Sequence, residues 1–398
     1  MQKKKIIILI LPIKLRPIDI DRYDVLELEK NSNVKVEIHE VINFLYPGFE
    51  KAFMNTIRDK RLKSFETFES WKKNFQKIIN DYNDILILKN INSDSSISLR
   101  FNLFFKRFKK VKVFEFSYVQ SPNNFKRNFL KQIEIFFATF ITNPKKIFIH
   151  IRRKFYLTLA KCLKVEPDYF LKTGHVTRNI YKNAKIYNGN SFDYNMFLKQ
   201  KKNKIILKKN YGLFLESPSP LYSGDSYLDG AKVGDYGTPE KWFKSLDRFF
   251  SAIEKYKKIK IKVVSHPKVK HKSRFPSYYY GREVLKNRLP EIANNAKIFI
   301  SRDSVGLSFA TFYNKPAVLI FTNEFIGKKN NFLEHQNFFA KNLGTKPINI
   351  DTRLDKKIIN ELFMYNKKKY QRYIEKYISV RKDKKNNYKI LSDIIQKL

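Results

Sequence analysis

The sequence is poor in cysteine and glycine, and both shortages narrow the possible functions. One cysteine, Cys162, excludes an internal disulfide framework and every metal site built from several cysteines. A cytoplasmic location fits this composition. Only 12 of the 398 residues are glycine, and no G-x-G-x-x-G follows the first predicted strand. Hydride transfer with a dinucleotide therefore lacks its usual sequence signature.

Long apolar runs are also missing. The start of the chain, "MQKKKIIILILPIKLRP", imitates a signal peptide, but Pro12 and Lys14 interrupt the short apolar run and no small-residue cleavage site follows. No segment reaches the roughly 18–20 apolar residues that a membrane-spanning helix requires. We expect a buried first strand and not an integral membrane protein.

Acidic residues are scarce relative to basic ones. The chain has 37 Asp and Glu against 80 Lys and Arg, a formal net charge of +43. Such a positive field attracts nucleic acids, anionic membrane surfaces and anionic substrates alike. The excess runs through the whole chain, which is typical of compositional bias rather than of the concentrated basic face of a nucleic-acid-binding protein. Charge alone leaves the partner open.

Two regions nevertheless mix aromatic and basic residues. Residues 101–114, "FNLFFKRFKKVKVF", interleave Phe and Lys as base-stacking and phosphate contacts would, which keeps nucleic-acid binding as an alternative from another functional class. Residues 123–163 have a helical pattern, broken at Asn143-Pro144, that mixes Phe and Ile with Lys and Arg. This pattern fits either a helix in a membrane interface or a helix that packs on a domain and exposes its lysines.

The apolar pattern predicts the fold. Apolar runs alternate with helical patterns in both halves, which indicates βαβ units and mostly parallel sheets. With 398 residues, two cores are expected. We predict an α/β fold with two Rossmann-like domains that face a cleft, over residues 1–195 and 196–365, and a helical C-terminal tail over 366–398. One predicted helix begins at Pro239 after Thr238 as N-cap, and another covers residues 281–296.

Polar residues follow three predicted strands of the second half. Glu216 follows "LFL", His266 and Pro267 follow "KVVS", and the stretch from Ser301 to Ser304 follows "IFI". The carboxyl ends of parallel strands are where open α/β sheets bind ligands, so the coincidence of the three predicts a binding site.

The serine stretch has the features of a phosphate site. If Ser304 caps a helix over residues 305–314, the free N–H groups and the positive end of that helix favour an anion, and the hydroxyls of Ser301 and Ser304 can donate to it. Asp303 opposes this locally, unless it turns away or orients a ligand hydroxyl while Arg302 compensates its charge.

The motifs "VVSHPKV" and "IFISRDSVGLSFATFYNKPAVLI" resemble the His-Pro and Ser motifs of bacterial GT-B glycosyltransferases of surface polysaccharide synthesis. The resemblance extends over roughly residues 205–325, and it is strongest to sialyltransferase-like or Kdo-type enzymes that use CMP-activated acidic sugars. It implies that His266, Pro267, Ser301 and Ser304, with Asp303 beside them, bind the donor nucleotide.

Such enzymes also carry an acidic-acidic-Gly element near the cleft. Glu216 is one candidate for this element and is also predicted to be a catalytic residue. Asp229-Gly230 is another candidate, although only one acid directly precedes that glycine. The resemblance implies a first domain on the acceptor side and a second that binds the nucleotide sugar. The expected reaction moves an acidic sugar such as a nonulosonate or Kdo onto a surface glycan or a lipid-linked acceptor, with a UDP-sugar or a CDP-polyol as alternative donor.

Glycosyl transfer needs a base to deprotonate the acceptor hydroxyl. By resemblance the base lies in the first domain, where Glu40 is the first candidate and His39 the second; Glu115 lies within a predicted strand. His266 and the serine-capped helix would stabilise the leaving phosphate. No D-x-D motif occurs in the second half of the chain, which carries the predicted donor site. Neither a metal nor a cofactor is expected, and nucleic acid is not an expected partner. Lipid-linked acceptors make an anionic inner-membrane surface a possible partner of a peripheral cytoplasmic enzyme.

Overall fold

The computed structural model describes residues 4–32, 34–47, 56–91, 96–117, 122, 133, 136–137, 139–141, 144–177, 181–200, 210–217, 220, 237–267, 277–286, 288–326, 332–381, 383 and 385–398. The chain forms two compact units. The first contains Met1–Tyr118, Phe148–Asn195 and Val380–Leu398, and the second contains Val119–Ile147 and Met196–Ser379. The last residues of the chain thus belong to the first unit, whereas the predicted division treats 366–398 as a separate tail.

The strands, in chain order, are β1 (Lys5–Leu11), β2 (Lys35–Glu40), β3 (Leu62–Ser64), β4 (Asp84–Lys89), β5 (Val111–Phe116), β6 (Tyr169–Lys172), β7 (Lys185–Asn188), β8 (Tyr211–Leu215), β9 (Lys260–Ser265), β10 (Val284–Lys286), β11 (Phe299–Ser301), β12 (Ala317–Phe321) and β13 (Ile348–Asn349).

The α-helices, in chain order, are α1 (Pro17–Arg22), α2 (Val25–Ser32), α3 (Ile42–Leu45), α4 (Phe68–Asp81), α5 (Ser96–Phe105), α6 (Pro144–Cys162), α7 (Phe192–Gln200), α8 (Pro239–Lys257), α9 (Leu289–Ile292), α10 (Ser308–Phe312), α11 (Phe332–Leu343), α12 (Lys356–Leu362), α13 (Lys367–Tyr373) and α14 (Asn387–Lys397). None of the helices in the described ranges combines the length and the apolar character needed to cross a bilayer.

The first unit is built on a parallel sheet with the strand order β3-β2-β1-β4-β5-β6-β7. Strand β1 lies inside the sheet, between β2 and β4, and is buried on both faces, which explains its continuous apolar run. Ile6, Ile8 and Ile10 face one core, which also contains side chains of α4 and α5. Ile7, Leu9 and Leu11 face the other core, together with side chains of α2 and α14. The two-residue period of a strand divides β1 between the two cores.

The second unit is built on a parallel sheet with the strand order β10-β9-β8-β11-β12-β13. Helix α8 buries an aromatic face that includes Trp242, Phe249 and Phe250 against one side of this sheet. The helix begins at Pro239 after Thr238, as predicted. The Thr238 hydroxyl, however, donates to Glu324 Oε1 at 2.7 Å, so a remote carboxylate rather than the helix itself binds this side chain.

The helix predicted over residues 281–296 is wrong. Val284–Lys286 forms β10, which pairs in parallel with Val263–Ser265 of β9, and only short helical turns follow at Leu289–Ile292 and Ala293–Asn295. The helical pattern of this stretch is local, whereas the strand depends on a partner about twenty residues earlier in the chain. Tertiary pairing overrides local propensity here.

Candidate functional site

The three strands β9, β8 and β11 are neighbours in the second sheet. Because they run parallel, the residues that follow them, Glu216, His266 and the stretch from Ser301 to Ser304, emerge at one edge. The structure therefore brings together the candidate residues that were predicted from three separate segments of the sequence. Asp229 and Gly230, the remaining candidates of this unit, lie outside the described residues.

Glu216 is a buried carboxylate that organises the turn after β9. Its Oε2 accepts the backbone N–H of His266 at 2.9 Å, and its Oε1 accepts the hydroxyl of Tyr279 at 2.6 Å. Burial raises the pKa of the Tyr279 hydroxyl, and the Glu216 carboxylate raises it further. The phenol thus stays protonated and donates to Glu216. These contacts hold the start of the His266-Pro267 turn against β8.

Ser301 and Ser304 shape the loop after β11. The fully buried Ser301 hydroxyl donates to the carbonyl of Leu215 at 2.9 Å and accepts the N–H of Ser304 at 3.0 Å. Ser304 Oγ accepts the N–H of Gly306 at 3.2 Å, as an N-cap does. Since the one hydroxyl hydrogen of Ser301 is donated to Leu215, Ser304, which is only partly buried, is the better placed of the two to donate to a ligand.

The structure has a shorter and divided helix where the sequence predicts one over residues 305–314. A 3₁₀ turn, Val305–Leu307, precedes α10. The turn lies tightly against the sheet: a Cβ at Gly306 would lie 3.3 Å from Leu215 Cδ1 and 3.0 Å from Leu289 Cδ2. The lack of a side chain at Gly306 therefore permits this close approach.

Asp303 does not stand alone at this edge. The Ser217 hydroxyl donates to Asp303 Oδ1, and Arg302 Nη2 donates to its Oδ2 at 3.2 Å. The Arg302 guanidinium is almost completely buried and lies 5.4 Å from the ring centre of Phe332 and 5.8 Å from that of Trp242. The positive charge of Arg302 thus offsets the negative charge of Asp303, which by itself would disfavour an anion at this edge.

Two further residues of this edge come from α11 and were not nominated from the sequence. Gln336 Nε2 donates to the carbonyls of Arg302 and Ile320, at 2.7 Å each, and fixes the backbone between β11 and β12. Burial lowers the pKa of His335, and the Asp303 carboxylate acts against this shift. No local pattern in the sequence indicates that α11 returns to this loop.

In the first unit, Glu40 lies at the carboxyl end of β2 and is buried. Its Oε1 accepts the N–H of Leu15 at 2.6 Å, its Oε2 accepts the Ser64 hydroxyl at 2.8 Å, and Lys14 Nζ is 3.3 Å away. These contacts link the ends of β1, β2 and β3.

His39 is fully buried, and both of its ring nitrogens have partners. The indole N–H of Trp71 can only donate, and it does so to His39 Nδ1 at 3.1 Å. The hydrogen of the neutral ring is therefore on Nε2, which lies 3.3 Å from Glu37 Oε2. Burial lowers the pKa of His39, against the opposing effect of Glu37. The ring bridges α4 and β2 without reaching the surface.

Another group at this edge was missed by the sequence analysis. The buried hydroxyls of Ser117, Thr173 and Thr177 lie 3.4 Å from one another at the carboxyl ends of β5 and β6, and the exposed His175 lies in the same loop. The strand-end criterion used for the second half would have found His175 after "YFLK". Glu115 of β5 instead contacts Lys89 and the Tyr181 hydroxyl and forms part of the core.

The described residues hold no group of three or more His, Cys, Asp or Glu side chains arranged to bind a metal ion. A scan against protein-family models finds no match. A search of curated protein sequences also finds none.

Solved structures do show a likeness. The wall teichoic acid polymerase TagF is 11% identical, with a TM-score of 0.54, over 100% of this chain and 89% of that chain. A histidine variant of TagF soaked with CDPG gives a TM-score of 0.52 at 11% identity with the same coverage. The UDP-GlcNAc 2-epimerase from Methanocaldococcus jannaschii is 14% identical, with a TM-score of 0.44, over 99% of this chain and 98% of that chain.

At this level of identity the likeness to TagF shows a shared fold. Together with the two parallel sheets and their helices, it confirms the predicted fold class, an α/β fold of the GT-B type with two Rossmann-like domains.

Proposed function

We propose that the protein is a glycosyltransferase of surface-glycan synthesis that binds a nucleotide-activated donor at the carboxyl edge of the second sheet. The supporting observation is the convergence of His266, Asp303 and Ser304 at this edge, each fixed by a buried partner. Such pre-organisation suits the binding of a phosphate and a ribose, because the groups need no reordering when the ligand arrives.

In this proposal the residues at the carboxyl edge of the second sheet have different roles. His266 and Ser304 bind the phosphate of the donor, with Pro267 fixing the turn, and Asp303 binds a ligand hydroxyl. Glu216 and Ser301 act as positioning residues, since their polar atoms hold His266 and the loop after β11. Asp229 and Gly230 remain candidates for donor binding from the sequence pattern alone.

The donor is proposed to carry a cytidine nucleotide. The sequence motifs favour a CMP-activated acidic sugar, for a glycan or lipid-linked acceptor. A CDP-activated polyol is the second candidate, and the TagF variant soaked with CDPG favours it because that protein shares the fold. The two donors require the same phosphate contacts and differ in the transferred group.

Glu40 is the first candidate for the catalytic base. Glu40 and His39 are both buried with their polar atoms engaged, so each would need a rearrangement to meet an acceptor. His175 is exposed at the same edge of the first sheet and needs none. We therefore add His175 to the candidates for the base.

A thermal-shift panel with CMP, CDP, UDP, GDP and ADP at one fixed salt concentration tests the donor site. A ligand that binds only the folded protein raises its melting temperature. We expect the cytidine nucleotides to stabilise the protein selectively, and His266→Ala to remove this shift while leaving the ligand-free melting temperature close to that of the wild type.

Equal shifts with every nucleotide would show polyanion binding to a basic protein and contradict the donor site. Transfer assays with a CMP-sugar and a CDP-polyol then separate the two donors. In these assays His175→Gln, His39→Gln and Glu40→Gln compare the three candidate bases, and the base variant should lose kcat with donor binding retained. Full turnover in His266→Ala would refute the role given to the second-sheet edge.

A further inference from the structure

Apolar surface is concentrated in one part of the chain. Nine of the eighteen large hydrophobic residues that the structure shows exposed lie between Ile133 and Leu163. Scattered exposed apolar residues are normal on a protein surface, but a concentration of them indicates an interaction site.

Helix α6 carries a defined part of this surface. Phe148, Ile151 and Phe155 are exposed by 65%, 59% and 59%. Their spacing of three and four residues places them on one side of the helix, as a single stripe. A stripe of this kind is normally the buried side of a helix, and here it faces outward.

The charge of α6 shows which partner suits the stripe. The sequence "PKKIFIHIRRKFYLTLAKC" contains six Lys or Arg residues and no Asp or Glu. Arg152, Lys154 and Lys161 are exposed, with Arg152 one turn from Phe148. Exposed aromatic and aliphatic residues among basic ones are typical of helices that lie in the interface of an anionic bilayer.

We propose that α6 is a membrane-docking helix that inserts Phe148, Ile151 and Phe155 into the interface of an anionic bilayer. The basic residues attract the headgroups, and the apolar stripe supplies the part of the affinity that salt does not screen. The surface is independent of the donor site, so it brings the protein to lipid whichever nucleotide it uses.

The single cysteine provides the probe. Cys162 is exposed at the end of α6, so an environment-sensitive fluorophore attached to it reports on this helix alone. We expect a blue shift with phosphatidylglycerol-containing vesicles, quenching by nitroxide-labelled lipid, and little response to pure phosphatidylcholine vesicles. Part of the shift should persist at high salt.

The triple variant Phe148→Ser, Ile151→Ser and Phe155→Ser should weaken vesicle binding at high salt more than tenfold. Its matched control is Leu26→Ser with Ile186→Ser, which removes exposed apolar side chains elsewhere in the first unit and should bind as the wild type does. Because the three stripe residues are exposed, the melting temperature should hardly change.

An unshifted probe with anionic vesicles would overturn the proposal, as would undiminished high-salt binding by the triple variant. A shift that depends on protein concentration and not on vesicles would identify a second copy of the chain as the occupant, and would also overturn it. The measurements contain no nucleotide, so their failure is distinct from a failure of the donor-site proposal.

Discussion

Two stretches with the same mixture of phenylalanine and basic residues have opposite surroundings. In residues 101–114, the rings of Phe101, Phe104 and Phe105 are buried in the first unit's core. In α6, Phe148 and Phe155 are exposed. The first stretch lies under α4, whose Trp71 is 4.6 Å from Phe101 between ring centres. Composition alone does not decide whether an aromatic-basic stretch is core or surface; the packing partner does.

This comparison also bears on nucleic-acid binding. That alternative rested on the phenylalanines of residues 101–114 as base-stacking groups. Their burial leaves no ring face for a base in Phe101 or Phe105. The exposed aromatic-basic surface is instead in α6, a helix whose pattern suits a bilayer.

The largest effect on the free energy of unfolding is expected from a substitution in the buried stretch, residues 101–114. Phe101→Ala removes a fully buried ring that packs against Trp71 and Phe68. The lost burial and the cavity should lower the free energy of unfolding by about 3–5 kcal/mol. Urea unfolding measures it, and a loss below about 1 kcal/mol would show that the ring is not part of the core.

A buried lysine beside this stretch gives the next largest effect. Lys89 Nζ contacts the Glu115 carboxylate and donates to Asn102 Oδ1 at 2.7 Å. Lys89→Met leaves the buried carboxylate without its cation, and the free energy of unfolding should fall by about 3 kcal/mol. The double variant Lys89→Met with Glu115→Leu should recover most of it. Lys154→Met, on the exposed side of α6, should change it by no more than about 0.5 kcal/mol.

The buried histidine gives a smaller effect that depends on pH. Because burial lowers the pKa of His39 below the ordinary value of 6.5, the unfolded chain binds the proton first as the pH falls. This contribution to stability is complete above pH 6.5 and declines below it, by about 1 kcal/mol between pH 7.5 and 5.5. Urea unfolding at both pH values should show a smaller loss in His39→Gln than in the wild type.

His150, exposed on α6, provides the control for that experiment. His150→Gln should keep the pH dependence of the wild type. If His150→Gln and His39→Gln had the same pH dependence, the difference between the buried and exposed histidines would not be supported.

The smallest effect is expected on the exposed side. Phe155→Ala removes a ring that is 59% exposed, and the free energy of unfolding should change by no more than about 0.5 kcal/mol. The same urea titration used for Phe101→Ala measures it. A loss of several kcal/mol would mean that Phe155 is covered in solution and would remove the contrast between the two stretches.

Much of the second-sheet edge could be predicted because it rests on strand ends. Glu216, His266 and Ser301 each directly follow or end an apolar run, and parallel strands deliver such residues to one edge. The roles within the edge were harder to predict. The Ser301 hydroxyl donates to the carbonyl of Leu215, which lies 86 residues earlier in the chain. The Tyr279 hydroxyl donates to the Glu216 carboxylate.

The two parallel α/β sheets can be predicted from the sequence pattern, since strands buried on both faces must be continuous apolar runs and the helices between them must be amphipathic. Three other features depend on tertiary contacts: residues 284–286 pair with β9, Gln336 and His335 return to the carboxyl edge of the second sheet, and α6 keeps its apolar stripe exposed. Each of these features depends on which segment, remote in the chain, packs against the residues concerned. The local sequence pattern of a segment does not show which remote segment that is.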